Sequence, residues 1–236
     1  MKRIDSLTVA QLRIFKTDEL PFNSLRLGAS VQKIRTEFAF KHITNIPAPM
    51  TPDLLGAIGF VAGEVKTEAG ATVIESLVIE SRRVLLTIHG PSEVANQTFD
   101  RLRGMIREVD QRENKPELVP LIVTEDTTTV VHLDHPILSL LTGCPLEQLV
   151  GGLDSKIEKH GARVRIYPAS FRLAVAYDHV PDSLKLNNIT LADKVISIEL
   201  RMGTAVEDNI YFISSPNPST IHLQMVTFLE ELLARR

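Results

Sequence analysis

Two stretches of 26 residues, 84–109 and 211–236, follow one pattern: a short apolar strand, a Pro-Ser turn and an amphipathic helix. An offset of 127 positions lays Pro91 on Pro218, Ser92 on Ser219, Gln97 on Gln224 and Leu102 on Leu229. Apolar helix positions coincide as well: Val94 with Ile221, Phe99 with Val226, Met105 with Leu232 and Ile106 with Leu233. Only four of the 26 pairs are identical, so the two stretches share a pattern more than a sequence. A chain with this pattern has to lay helices on a sheet. It is expected to fold as an N-terminal α+β half, residues 1–117, and a C-terminal α+β half, residues 118–236, packed as one unit. The charged stretch 110–117, DQRENKPE, is the expected boundary.

Along the chain, residues 1–22 mix charged and apolar groups and predict a short strand or arm ending at Pro21. From Ser24, Leu25, Leu27, Ala29 and Val31 alternate, and the phase then flips to Ile34, Thr36, Phe38 and Phe40. That predicts a strand bulged near Gln32 and Lys33. A helix is the alternative, because Leu27, Val31, Ile34 and Phe38 also share one helical face. Thr51-Pro52-Asp53 reads as a helix start for 52–62, with Gly56 and Gly59 permitting close packing. The spacing of Gly56, Gly59 and Gly63 matches no phosphate cradle. A hairpin over 71–80 and 83–89 follows, then a helix over 92–109 capped by Ser92.

The second half is expected to open with a hairpin, 118–124 and 127–133, turning at Glu125-Asp126. Pro136 starts a short helical segment. Pro145 starts a longer one, in which Leu146, Leu149, Val150, Leu153 and Ile157 keep helical spacing up to Gly161. Strands over 162–167, 170–180 and 194–202 come next; in the middle one Phe171, Leu173, Val175 and Tyr177 form the buried face. Asn187-Asn188 marks a turn, 210–214 the last strand, and Arg235 and Arg236 suit the negative end of the closing helix. The fold class is therefore α+β, a mostly antiparallel sheet with about four helices.

Composition narrows the function classes. A net charge of -3 with interspersed signs lacks the basic bias of a dedicated nucleic-acid binder. Aromatic residues are 5% with no Trp, which removes most stacking platforms for single strands and predicts a core of Leu, Ile and Val. The longest apolar run, 54–63, is about half a membrane span. The N-terminal stretch MKRIDSLTVAQL has no apolar core of the secretory kind. Cys144 is the single cysteine and can form no internal disulfide. A soluble cytoplasmic chain with no membrane association is expected.

Chemistry-bearing residues are densest at His132-Leu133-Asp134-His135-Pro136. On a strand His132 and Asp134 point the same way, and with His135 they offer most of a metal site or a base with its orienting acid. The favoured reading is structural: Pro136 opens a helix, His135 takes the cap position and Asp134 meets the first free amides. Cys144 stands before Pro145 at a helix start, where a dipole favours the thiolate, but no histidine is assignable beside it. Ser92 and Ser155 lack a nucleophile elbow. His160, His179 and His222 are isolated in sequence and read as structural or exposed. Arg163 and Arg165 share a strand face with Arg172 on the next strand, and Arg101, Arg103 and Arg107 decorate one helix; together they are candidates for phosphate contact. Acidic residues interleaved with the helical set favour a plain solvated face.

On the closing helix Ile221, Met225, Val226, Phe228, Leu229, Leu232 and Leu233 make an apolar surface wider than one stripe, with Phe228 as the interface candidate. The expected role is a non-enzymatic protein-interaction or assembly module, self-associating or holding a protein partner through sheet and amphipathic-helix surfaces, with no cofactor and no metal. Two alternatives stand beside it. One is a metal-assisted hydrolase using His132, Asp134 and His135; the other is a nucleic-acid-binding accessory protein using Arg163, Arg165 and Arg172.

Overall fold

The computed structural model describes residues 3–46, 56–68, 70–141, 148–149, 152–153, 167–177 and 181–235. Among them nine strands form one antiparallel sheet, and five α-helices make the fold mixed α+β and sheet-dominated. In chain order the elements are β1 (Arg3–Ile14), α1 (Phe22–Leu25), α2 (Gly28–Glu37), β2 (His42–Ile46), β3 (Ala57–Thr67), β4 (Gly70–Ile79), β5 (Arg83–Ile88) and α3 (Ser92–Val109). Then follow β6 (Ile122–His132), a 3-10 turn (Ile137–Leu141), β7 (Ser170–Val175), α4 (Asp182–Leu186), β8 (Lys194–Leu200), a 3-10 turn (Val206–Asp208), β9 (Ile210–Ser215) and α5 (Ser219–Ala234). The sheet order is β2-β3-β4-β5-β1-β6-β9-β8-β7. No helix among the described residues is long and apolar enough to cross a membrane.

The N-terminal stretch is no loose arm. β1 is a central strand, paired to β5 on one side and to β6 along its whole length on the other. Its side chains alternate, with Val9 and Gln11 buried toward the helices and Thr8, Ala10 and Leu12 on the opposite face. The expected hairpin of β4 and β5 forms around Ser81-Arg82, closed by the Glu80 amide donating to the Arg83 carbonyl at 2.8 Å.

Four expectations are corrected. Residues 24–40 follow the alternative, helical reading, α1 ending at Leu25 and α2 running over Gly28–Glu37, and no strand bulges at Gln32. Spacings of four from Leu27 to Val31 and from Ile34 to Phe38 satisfy both periods, and burial decides: Ile34 and Phe38 go under while Leu27 stays 52% exposed. The helix placed over 52–62 is replaced from Ala57 by β3, because Ile58 and Phe60 alternate into the core; residues 51–55 lie outside the described set. In β3, Ala62 takes a left-handed φ of 57°. Gly63 then accepts the Phe40 ring, since a Cβ there would stand 2.5 Å from two ring carbons. No turn occurs at Glu125-Asp126; both sit inside the continuous strand β6. On β7 the expected buried face is half-buried at best, and Leu173 is 65% exposed. The strand expected over 162–167, most of the helix from Pro145, and the cysteine lie outside the described residues.

The described long helices α2, α3 and α5 lie on one face of the sheet. Beneath α1, α2 and α3 lies a core containing Phe15, Phe22, Phe38, Phe40, Phe60 and Phe99, six of the nine phenylalanines. Leu, Ile and Val still make up most of this cluster, as expected, with the phenylalanines set among them. Phe15 stacks on Phe99 at 6.0 Å, and Phe40 lies 5.2 Å from Phe60. A second cluster packs Val226 and Leu233 of α5 against Val131, Tyr211 and Ile213. Between α3 and β6, the Asp110 carboxylate holds Arg112, whose guanidinium also donates to the Asp18 and Glu19 carbonyls. That knot fixes the charged linker to the end of β1. The Arg112 hydrogen bond keeps the Asp110 carboxyl below its usual range.

Where α3 and α5 begin, proline holds each N-cap position and offers no side-chain acceptor. The first helical amides therefore need partners from elsewhere. They find each other: the Ser92 amide donates to Ser219 Oγ at 2.9 Å, and the Ser219 amide donates to Ser92 Oγ at 2.7 Å. Ser92 is thus not the cap of its own helix, as expected, but of the other one. Ser92 Oγ also donates to Glu125 Oε2 at 2.6 Å, setting a carboxylate beside the positive helix ends. Because Ser92 Oγ serves two partners, Ser92→Ala is expected to cost about 2 kcal/mol and Ser219→Ala about 1 kcal/mol in urea unfolding. Equal losses, or none, would contradict this reciprocal capping.

Candidate functional site

The sheet has two unlike faces, and strand alternation creates both. Toward the helices point Val9, Leu86, Ile88, Val131 and Ile213, all buried. Away from them point Thr8, Ala10 and Leu12 of β1, Thr128 and Val130 of β6, Thr87 and Leu85 of β5, and Phe212 and Ser214 of β9. The long helices α2, α3 and α5 lie on the other side; toward the end of this second face by Ile14 and Arg83 the segment after α4 comes close, the Arg82 guanidinium donating to the Asn187 carbonyl at 3.2 Å. The exposed apolar side chains of this face include Leu85 at 36% and Phe212 at 41%, on the strands flanking the central pair, and Val195 at 48% on β8. Hydroxyls and aliphatic groups dominate the middle, where Asp126 of β6 stands opposite Ala10 and bonds Lys194, and Glu199 lies opposite Phe212. Nine strands at about 4.8 Å spacing make the face roughly 40 Å wide.

The residues of the His132 cluster meet partners distant in sequence. At the end of β6 the His132 ring meets Asp5 across the ladder, with Nε2 2.8 Å from Oδ2. Arg3 also binds Asp5 at 2.5 Å, and Arg201 approaches the same carboxylate at 3.6 Å. Arg3 first and His132 second hold the Asp5 carboxyl below its usual range. Asp134 and His135 lie exposed past the strand end, and the Asp134 amide donates to buried Glu230 at 2.6 Å. A short 3-10 turn follows Pro136, as the proline suggested. Among the described residues no group of three His, Cys, Asp or Glu side chains is gathered in metal-binding fashion.

Arg172 lies exposed on edge strand β7 and pairs with Glu199 at 2.8 Å. Its companions Arg163 and Arg165 fall outside the described residues, as do Cys144, His160 and His179. Arg101 reaches the Lys66 carbonyl and Arg103 pairs with Asp100, so these helical arginines answer groups of their own chain. Phe228 stands 59% exposed on α5.

Under the helices runs a polar network that sequence reasoning missed. Gln11 donates to Asn96 and to Glu125, Arg13 donates to Asn96 and Gln11, and the Arg13 guanidinium lies 3.9 Å over the Phe99 ring. Gln11 breaks the apolar run of β1 on its buried face, which was the available signal. Leu85 and Phe212 were missed as a pair too, although the 127-residue offset superposes them.

Among the described histidines, His222 is the one that burial perturbs strongly. It is fully buried on α5, with Nδ1 2.9 Å from Ser215 Oγ and Nε2 2.9 Å from Thr129 Oγ1. Burial lowers its pKa to about 4. The unfolded chain binds this proton more readily, so stability holds above the ordinary histidine pKa and is lost as pH falls from about 6.5 toward 4. The full loss is about 3 kcal/mol on that shift. Thermal unfolding between neutral pH and pH 4.5 should show this slope, and His222→Gln should flatten it; an unchanged slope would remove His222 as its source. The sequence matches no protein-family model, and no curated protein matches it.

Proposed function

We propose that the chain is a non-enzymatic interaction module whose sheet face opposite α2, α3 and α5 holds a protein partner. The uncovered central face carries this reading: a broad, low-charge surface of threonine, serine and aliphatic side chains with Leu85 and Phe212 as anchors. Interfaces of this kind place apolar anchors centrally and polar groups at the rim. Arg3 and His132 pair with Asp5 at one end, Lys194 with Asp126 on the central strand and Arg172 with Glu199 toward one edge, so the charges of the face are answered within the chain and orient a partner more than they attract one.

The face is built, on this reading, from two related halves joined at β1 and β6. Strand β5 pairs β1 from Val9↔Ile88 to Ile14↔Arg83, and β9 pairs β6 from Thr127↔Ser215 to His132↔Ile210. The next strands out repeat the register, Ser76↔Thr87 against Ser197↔Ser214. Together with the reciprocal serines, these registers support an internal pseudo-two-fold axis that passes between the two helix starts. It relates Leu85 to Phe212.

Affinity capture with the full chain, compared with Leu85→Glu/Phe212→Glu, tests the reading. Proteins retained by the natural chain should be lost by the double variant, with the circular dichroism spectrum unchanged. Equal retention by both would reject the sheet face as the site.

The pseudo-two-fold axis also favours a second reading, duplex nucleic acid, whose antiparallel strands carry a dyad of their own. Against it stand the carboxylate partners of Arg3, Arg172 and Lys194. Anisotropy of a labelled duplex decides between them. Weak binding with little salt dependence is expected; tight binding that falls steeply with salt and disappears in the double variant would put nucleic acid first.

A further inference from the structure

Helix α5 carries two apolar rows rather than one. His222, Val226, Leu229 and Leu233 face the sheet. Beside them Ile221, Met225, Phe228 and Leu232 follow spacings of four, three and four, and Arg235 continues the same row three residues on. Ile221, Phe228 and Leu232 are 45%, 59% and 36% exposed. The corresponding row of α3 is Val94, Thr98, Arg101 and Met105, and there Thr98 and Met105 are buried while Arg101 reaches the Lys66 carbonyl. One helix closes this flank within its own half. The other leaves it open and replaces the arginine with a phenylalanine.

We propose that two copies of the chain associate through this row, α5 lying antiparallel along α5 of its partner. Centred between Met225 and Phe228, the pair sets Ile221 against the partner's Leu232 and Met225 against the partner's Phe228. The row is thus complementary to itself, as a two-fold contact requires. Its ends match in charge. Arg235 falls opposite the start of the partner's helix, where Glu93 is exposed and accepts a hydrogen bond from Thr220 at 3.4 Å. An arginine thereby meets a carboxylate at each end of the apolar contact. A single helix pair is a small interface, below about 1,200 Å², and such contacts dissociate in the micromolar range. This contact uses none of the sheet face and is independent of the function proposed for it.

Sedimentation equilibrium of the full chain from low to high micromolar concentration is the test. The mass should rise from 26.2 kDa toward twice that value. Phe228→Glu should hold it at the monomer with an unchanged melting temperature. Arg235→Glu should weaken association by about tenfold, and adding Glu93→Arg should restore it. A natural chain that stays monomeric throughout overturns the proposal, as does a Phe228→Glu variant that melts markedly lower, which would show the row to be covered within its own chain. A dimer that survives Phe228→Glu but dissociates in Leu85→Glu/Phe212→Glu also overturns it, by moving association to the sheet face.

Discussion

The pairing of β1 with β6 is the interaction on which the rest of the molecule depends. It runs from Arg3↔His132 to Ile14↔Ile122 and is the only ladder in the described sheet that joins strands from either side of the charged linker. Everything placed outward of it inherits its register, β5 and β4 on one side and β9 and β8 on the other. One register step would turn the buried side chains of these strands to the open face. Gln11 guards against that slip. It reaches Glu125 on the neighbouring strand and Asn96 on α3, a pair of bonds available only when its side chain points to the helices.

Above that ladder, the two helix starts are held by each other. Proline at each N-cap position removes the local solution to capping, and the serine that follows supplies the distant one. Two helices with their positive ends brought together would repel. Glu125, bonded to Ser92, and Glu93, bonded to Thr220, place carboxylates at that junction. The polar groups here are buried yet satisfied, a combination that fixes geometry more than it adds stability.

Local periodicity made the hairpin of β4 and β5, the helices α3 and α5, and the strand of β9 legible, because each carries a single unambiguous pattern. It failed where two patterns coexist or where a side chain answers to something distant in sequence. Residues 24–40 satisfy both strand and helix spacing, and only the depth of Ile34 and Phe38 separates them. Glu125-Asp126 looks like a turn because acids favour turns, yet their partners Gln11, Ser92 and Lys194 come from three other elements. For the same reason the partner of His132 was not legible: Asp5 is on the far side of the central ladder. Phe228 was readable as an exposed aromatic because surface position on a helix follows from period alone. The open sheet face was not, since no strand reveals by itself which of its neighbours lacks a helix.

The reciprocal serines also have a consequence for how the chain is made. During synthesis the first half can assemble β3, β4, β5 and α3 around its phenylalanine core before the rest exists. At that stage β1 offers a bare edge, a hazard for pairing between nascent chains, until β6 is made. The edge is closed soon after, since only the linker separates α3 from β6. The Ser92 amide waits far longer, until Ser219 arrives 127 residues later. Completion of the first helix is therefore deferred until α5 is translated. A chain cut short anywhere before α5 would carry an unfinished helix start in an otherwise formed half, a built-in mark of a product that lacks α5.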